Sequence, residues 1–331
     1  MNTALRIVTS GDLNVAGKRD YISSRDKADI KYGILFSDFI ATTVARKVKR
    51  MGSSYAANYK TVIYHLNKFS ELNDASLFTN SINEEFLDDF ILYLEEQGLK
   101  QTYIKNLLSL IKAMARKAAT HGYAIDATYG DVTIDDEAVF SVYLSMNEIT
   151  RIYYYKGLTR FQGKIRDLFI IGCLTGLRYS DYSTLKSINF QGDYIVKVTK
   201  KTNKKVVIPI HDYVREIYNK RDGNVSAGLT IQHFNRYMKM ICKMVGIDDP
   251  ITFNYTKGGK LVTETKPKWI LISSHTARRS AATNLYMTGR LKTFEIMTIT
   301  GHTTEESFFK YIKTNESDIS KHVGADQFFR K

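Results

Sequence analysis

Between Ile34 and Thr120 the chain repeats one pattern four times: apolar residues at helical spacing, in segments whose charge changes sign along the sequence. Ile34, Leu35, Phe39 and Ile40 open the first segment, which ends in the basic run Arg46-Lys47-Val48-Lys49-Arg50. Tyr55, Tyr59, Val62, Leu66 and Phe69 stripe the second, with Ser53 or Ser54 placed to cap its start. Phe86, Leu87, Phe90, Ile91 and Leu94 stripe a third from about Asn83 to Glu96, which Gly98 can end. Leu107, Leu108, Ile111 and Met114 stripe a fourth from about Gln101 to Thr120. Helices with one apolar stripe each cover it by facing one another, so this region predicts a four-helix bundle.

The charges sharpen that reading. Residues 41–70 carry six Lys or Arg and no acid, residues 71–97 eight acids and no base, and residues 98–123 five bases and no acid. Such a bundle can lay its basic helices on a phosphate backbone and turn the acidic one away. Arg46, Lys47, Lys49, Arg50, Lys60, Lys105, Lys112 and Arg116 are the candidate DNA contacts. Ordinary solvated faces are the plain alternative. The whole chain has a formal net charge of +14, which favours a polyanionic partner, nucleic acid before a ribosomal or membrane-surface role. Two cysteines, Cys173 and Cys242, sit in apolar surroundings, as buried small residues do, and make neither a disulfide framework nor a zinc site. No apolar run approaches the ~18 residues of a membrane span, so a cytoplasmic protein without membrane contact is expected.

The helical pattern stops after Gly122, and acids from Asp131 to Glu137 read as an exposed linker. The expected organisation is an N-terminal arm or partial extra segment at 1–30, a helical DNA-binding domain at 31–125, a linker at 126–142, and a catalytic domain with a tail at 143–331. In the second half, Ser145 and Glu148 form a capping box. A compact apolar helix from about Gly163 to Leu174 ends at Gly176, where a left-handed residue lets Leu177-Arg178 leave a tight turn. Tyr194 to Val198 and Val206 to Ile208 read as strands of a hairpin with a lysine-rich tip. A second hairpin turns at Lys257-Gly258-Gly259-Lys260. Helices follow at about His275 to Thr288, Leu291 to Thr298 and Thr304 to Tyr311. The predicted class is mainly α with small β-hairpins (α+β).

Five residues in order carry chemistry. Arg178 could clamp a phosphate with two parallel hydrogen bonds, or simply pair with Asp181. His275 and Arg278, three apart, share a helix face, though His-x-x-Arg alone is a weak signal. His302 lies in Thr300-Gly301-His302-Thr303, which alone could be a capped turn. Tyr311, one of 22 tyrosines, alone would more often be a core aromatic. The conjunction carries the weight.

With Leu174-Thr175-Gly176-Leu177-Arg178-Tyr179-Ser180-Asp181, the lysine hairpin, His275-Thr276-Ala277-Arg278 and Gly301-His302 with Tyr311, the chain resembles the tyrosine recombinases, phage integrases and Xer-type resolvases among them. The resemblance implies an N-terminal four-helix SAM-like core-binding domain and a C-terminal tyrosine recombinase catalytic domain. It makes Tyr311 the nucleophile of a 3′-phosphotyrosyl intermediate, with Arg178, Arg278 and His302 stabilising the transition state and His302 donating a hydrogen bond. His275 handles the tyrosine proton, and Asp181 orients the cations. The general acid falls on Lys201, counted back from Val207-Ile208-Pro209-Ile210, with Lys200 and Lys204 as rivals and further DNA contacts. Neither metal nor cofactor is required. The implied partners are duplex DNA with inverted-repeat core sites and three further copies in a tetramer passing through a four-way junction. The resemblance also admits accessory bending or directionality factors, and a bacterial, phage or mobile-element origin. The apolar thread Ile319, Val323, Phe328 and Phe329 would dock on a neighbouring protomer or fold back on its own domain. A type IB topoisomerase and a non-catalytic DNA-binding protein remain the rival readings.

Overall fold

A computed structural model of the protein describes residues 33–313. The predicted N-terminal arm and the apolar tail thread fall outside the described residues. The chain divides into two compact units, one of residues up to Val139 with Asn254–Thr263, the other of Phe140–Phe253 with the residues from Glu264 onward.

The first unit is built on four helices: α1 (Phe36–Met51), α2 (Ser53–Leu72), α3 (Glu84–Glu96) and α4 (Gln101–Thr120). Their apolar stripes meet in one core that includes Phe39, Ile40, Val62, Leu66, Leu87, Phe90, Leu107 and Ile111. Phe69 meets Phe86 and Phe90 edge-on at 5.6 and 5.5 Å, a geometry that adds roughly 0.5–1.5 kcal/mol per pair beyond burial. Asn83 caps α3 by accepting the Phe86 N–H at 2.9 Å, and Gly98 ends that segment at φ 66°. The expected serine cap of α2 is not used: Gly52, at φ 86°, occupies the cap position and no side chain bonds there. The stretch expected to be an exposed linker is partly folded onto this core. Val132 is buried in it, with Tyr129 and Ile134 packed alongside.

The second unit is organised around α6 (Arg160–Thr175), which follows α5 (Met146–Tyr154). Nearly every residue of α6 from Ile165 to Thr175 is buried, as expected of a helix surrounded by others. A capping box of Thr159 and Gln162 starts it earlier than the apolar pattern indicated. Its one buried acid, Asp167, is held by Arg166 and Arg221. After the short helix α7 (Tyr179–Tyr182), β1 (Phe190–Gln191), β2 (Tyr194–Val198) and β3 (Lys205–Pro209) form an antiparallel sheet in that order. Val196 faces Val207 and Ile195 faces Ile208, so Val206 and Ile208 point into the core and Val207 out of it.

Two helices without a counterpart in the sequence reading come next, α8 (Asp212–Lys220) and α9 (Ile231–Val245). The strands β4 (Pro250–Lys257) and β5 (Lys260–Pro267) then turn through Gly258 and Gly259, whose φ values of 57° and 67° suit a two-residue hairpin turn. Finally come α10 (Lys268–Leu271), α11 (Ser274–Met287), α12 (Thr293–Thr300) and α13 (Glu305–Phe309). Small residues let α11 lie close against α6: a Cβ on Gly172 would stand 3.0 Å from Ala277 Cβ and 2.7 Å from the Tyr182 ring. No helix among the described residues is long and apolar enough to cross a membrane.

Candidate active site

The second unit gathers residues from four places in the sequence. Gly176 ends α6 at φ 68°, a left-handed conformation natural to glycine, and Arg178 emerges at the start of α7. Asp181, fully buried on α7, accepts the Lys200 backbone N–H at 2.8 Å, tying the Arg178 turn to the lysine hairpin. No ion pair joins Arg178 to Asp181 among those formed by the described residues, so the plain reading of that arginine is not the one adopted.

His275 stands in the first turn of α11 and Arg278 one turn on, as their spacing requires. Arg278 is 1% exposed. Its Nη1 donates to the carbonyl of Gly176 at 2.7 Å and to that of Thr300. These carbonyls belong to the C-terminal ends of α6 and α12, where backbone acceptors lack helical partners and a cation is favoured by the helix dipole. One face of the guanidinium thus holds two helix ends, while Nε and Nη2 have no protein partner. Burial, then Arg178, push this group down to about 10, opposed by Tyr311 and Asp181, so it remains charged at neutral pH. His275 is lowered by burial and then by Arg279, Arg278, Arg178 and Lys201, which places all four cations within electrostatic reach of one imidazole. Lys201 is the hairpin lysine in that set, and Lys200 and Lys204 are not among them, although all three are exposed.

Beyond α12, Gly301 at φ 70° makes the turn expected of it, and the His302 N–H returns to Met297 O at 3.0 Å. His302 is 6% exposed, and burial followed by Arg278 and Arg178 pushes it down to about 3, so its ring is neutral. Its centroid lies 4.8 Å from that of Tyr311, and Arg278 Cζ lies 5.2 Å from the Tyr311 ring. Tyr311 follows α13, whose Phe308 is anchored in a small core with Ala282 and Ile296. The Thr283 hydroxyl holds this segment on α11, donating to Tyr311 O at 3.3 Å and accepting the Lys313 N–H at 3.2 Å.

Arg178 Nη1, Arg278 Nε and Nη2, and His302 Nε2 are all buried without a protein hydrogen bond. Unsatisfied guanidinium hydrogens beside a phenol are what an oxyanion needs. Among the described residues no three His, Cys, Asp or Glu side chains are grouped to hold a metal ion. The sequence reading gave no part to Thr283, and named Thr300 only as a member of the Thr300-Gly301-His302-Thr303 turn; the contacts of both are encoded by no motif.

In the first unit, Arg46, Lys49, Arg50, Lys60 and Arg116 are exposed. Lys105 pairs with Asp136 at 2.7 Å, and Lys112 donates to the carbonyls of Gly130, at 3.1 Å, and Val132. Lys117, not singled out from sequence, is pushed down to about 8 by burial and by Lys47 and Arg46, a cluster of three cations on α1 and α4.

The family model described as the phage integrase SAM-like domain matches residues 35–134. No curated protein sequence matches the chain. Among solved structures, a lambda integrase tetramer bound to a Holliday junction is similar with a TM-score of 0.64 at 17% identity, over 89% of this chain and 84% of that one. The Tn1549 transposon integrase, in complex with a circular intermediate DNA, gives 0.63 at 16% identity, over 88% and 99%. The XerH site-specific recombinase, bound to a palindromic difH substrate, gives 0.62 at 14% identity, over 86% and 83%. Likeness at such identities is one of fold: the chain carries a phage integrase SAM-like domain and has the fold of the tyrosine recombinases.

Proposed function

We propose that this protein is a site-specific DNA recombinase that cuts and rejoins strands through a covalent bond to Tyr311. The observation that carries the reading is the set of buried, unpartnered polar atoms of Arg278 and His302 beside the Tyr311 ring, with the unpartnered Arg178 Nη1 in electrostatic reach of both residues. A scissile phosphodiester fits there. Tyr311 Oη attacks phosphorus, the P–O5′ bond breaks, and the 3′ end is left as a phosphotyrosine. Arg178 and Arg278 offset the charge that builds on the non-bridging oxygens. Lys201 gives its proton to the departing 5′ oxygen, and His275, whose protonated form is disfavoured by burial and then by the surrounding cations, takes up the phenolic proton. Asp181 holds the hairpin that carries Lys201. The bond energy stays in the phosphotyrosine, so attack by a 5′-hydroxyl of a second duplex reverses the step and exchanges strands.

The exposed basic residues of α1 and α4, with Lys117 added, supply backbone contacts to the duplex. That the similar solved structures were obtained with DNA, one of them as a tetramer on a Holliday junction, supports duplex DNA as substrate and further copies of the chain as partners. The test is SDS-quenched incubation with four-way junctions and with DNA flanking the gene. An adduct lost in Tyr311→Phe, which still binds DNA, is expected. Equal loss of binding and adduct would make Tyr311 structural, and relaxation of plasmids without any preferred site would indicate a topoisomerase.

A further inference from the structure

Three helical threonines of the second unit, Thr175, Thr298 and Thr300, donate to the carbonyl four residues back, at 2.7, 2.8 and 2.7 Å. Thr283 turns its hydroxyl away from its own helix. Fully buried on α11, it donates to the carbonyl of Tyr311 at 3.3 Å and accepts the N–H of Lys313 at 3.2 Å. A carbonyl can only accept and an amide N–H can only donate, so the direction of both bonds is fixed. The hydroxyl stands where α13 runs out of backbone partners. The N–H groups of Tyr311 and Ile312 still bond back to Phe308 and Phe309, at 2.8 and 3.1 Å. The Tyr311 carbonyl and the Lys313 N–H lie beyond that last turn, and Thr283 serves both.

We propose that Thr283 is a positioning residue, which aims Tyr311 at the phosphate. The Tyr311 side chain leaves the backbone between two holds. Before it, Phe308 is anchored in the small core with Ala282 and Ile296; after it, the peptide is tied to Thr283. Arg278, Ala282 and Thr283 all belong to α11. The helix that presents the unpartnered Nε and Nη2 of Arg278 therefore also carries the hold on the nucleophile, and one rigid element sets the distance between them. Attack on phosphorus needs Oη in line with the departing oxygen, and a misplacement of about 1 Å costs on the order of 10²-fold. Ile312 packs on the same small core and keeps the segment near α11 without the hydroxyl. What the hydroxyl adds is the aim.

The catalytic consequence rests on the recombinase reading; the hold on the segment does not. Thr283→Val keeps the shape and removes the hydroxyl, while Thr283→Ser keeps the hydroxyl and loses the methyl. Without DNA, exchange of the Lys313 amide is followed in 15N-lysine-labelled protein, its signal assigned by its loss in Lys313→Arg. Wild type and Thr283→Ser are expected to protect this amide, and Thr283→Val to release it. On saturating DNA, Thr283→Val is expected to slow single-turnover covalent capture about tenfold, or about 1.4 kcal/mol, with affinity for DNA kept within about twofold. Thr283→Ser should stay within about twofold of wild type in both. A wild-type Lys313 amide that exchanges as fast as an unstructured one overturns the proposal, and this arm stands even if Thr283→Val does not fold. A valine variant with wild-type exchange or wild-type rate overturns it too. So does a serine variant as slow as the valine one, which would reduce Thr283 to packing, or a loss of affinity as large as the loss of rate. Failure of wild type to form any adduct counts against the recombinase reading and leaves the exchange result standing.

Discussion

Gly176 offers the sharpest separation of backbone strain from crowding. It sits at φ 68°, and a Cβ there would come within 2.7 Å of Thr300 Cγ2 and 3.3 Å of Ala281 Cβ. Gly246 ends α9 in the same way, at φ 77°, but its Cβ would meet only the far end of Arg151, at 3.4 Å. Gly246→Ala should therefore show the left-handed penalty alone, about 1–2 kcal/mol. Gly176→Ala adds overpacking of about 1–3 kcal/mol, for a total of roughly 2–5 kcal/mol. Gly172→Ala gives the converse case, a clash with the Tyr182 ring and Ala277 but no positive φ, partly offset by the ~1 kcal/mol helix preference of alanine. Trp269, the single tryptophan, packs against the core of the second unit, so its fluorescence during urea unfolding reports on that unit. At an m-value of about 2 kcal/mol per M, the midpoint should fall by roughly 0.5–1 M for Gly246→Ala and 1–2.5 M for Gly176→Ala. A Gly176→Ala loss no larger than that of Gly246→Ala would refute the claim that Thr300 and Ala281 leave no space at this turn.

Three further outcomes are expected. Substituting Lys201 by Ala should cut strand cleavage at least 10²-fold and be rescued by a substrate whose 5′-bridging oxygen is replaced by sulfur, a better leaving group; rescue of Lys200→Ala or Lys204→Ala instead would move the acid along the hairpin. His302 is held at about 3, against 6.5 for a free imidazole, so the unfolded chain takes up a proton in acid that the folded chain refuses. Stability from this group is intact above about pH 6.5 and declines toward pH 3, by a few kcal/mol at most given about 1.4 kcal/mol per unit, and His302→Gln should flatten the pH dependence of urea unfolding between pH 7 and 4.5. Arg278→Lys should lower covalent capture by about 10²–10³, with DNA binding largely kept, because an ammonium cannot hold two carbonyls and also reach a phosphate; a lysine variant of near wild-type rate would contradict that division of the side chain.

What could be read from the sequence follows from where the information lies. Each helix of the first unit carries its own stripe and stop signal, so α3 and α4 match their expected bounds closely. The motifs of the candidate site were legible because each turn is local: Gly176 and Gly301 both adopt the left-handed conformation that places Arg178 and His302 beyond a helix end. The helix α9 shows apolar spacing at Phe234, Met238, Ile241 and Cys242, but it lies between two hairpins with stronger turn signals. Lys105 and Lys112 were expected to face DNA because their own segment lacks acids. Their partners, Asp136 and the carbonyls near Val132, arrive from a stretch some twenty or thirty residues on that folds back against α4. Thr283 could not be distinguished from any other helical threonine, since Tyr311 and Lys313 reach it only through the tertiary fold, as Arg278 reaches the carbonyl of Thr300.

Arg278 shows why the fold and the proposed chemistry are not separable in the second unit. A buried guanidinium is costly unless its hydrogens are taken, and here the ends of α6 and α12 take those of Nη1 through Gly176 O and Thr300 O. The two helices are thereby fixed at the points from which Arg178 and His302 depart. Nε and Nη2 are left over, beside Tyr311, so the group that closes the core also leaves a charged edge open at its surface. An anion at that edge would complete the hydrogen bonding of a residue already committed to the fold, and binding it would stabilise the unit as a whole.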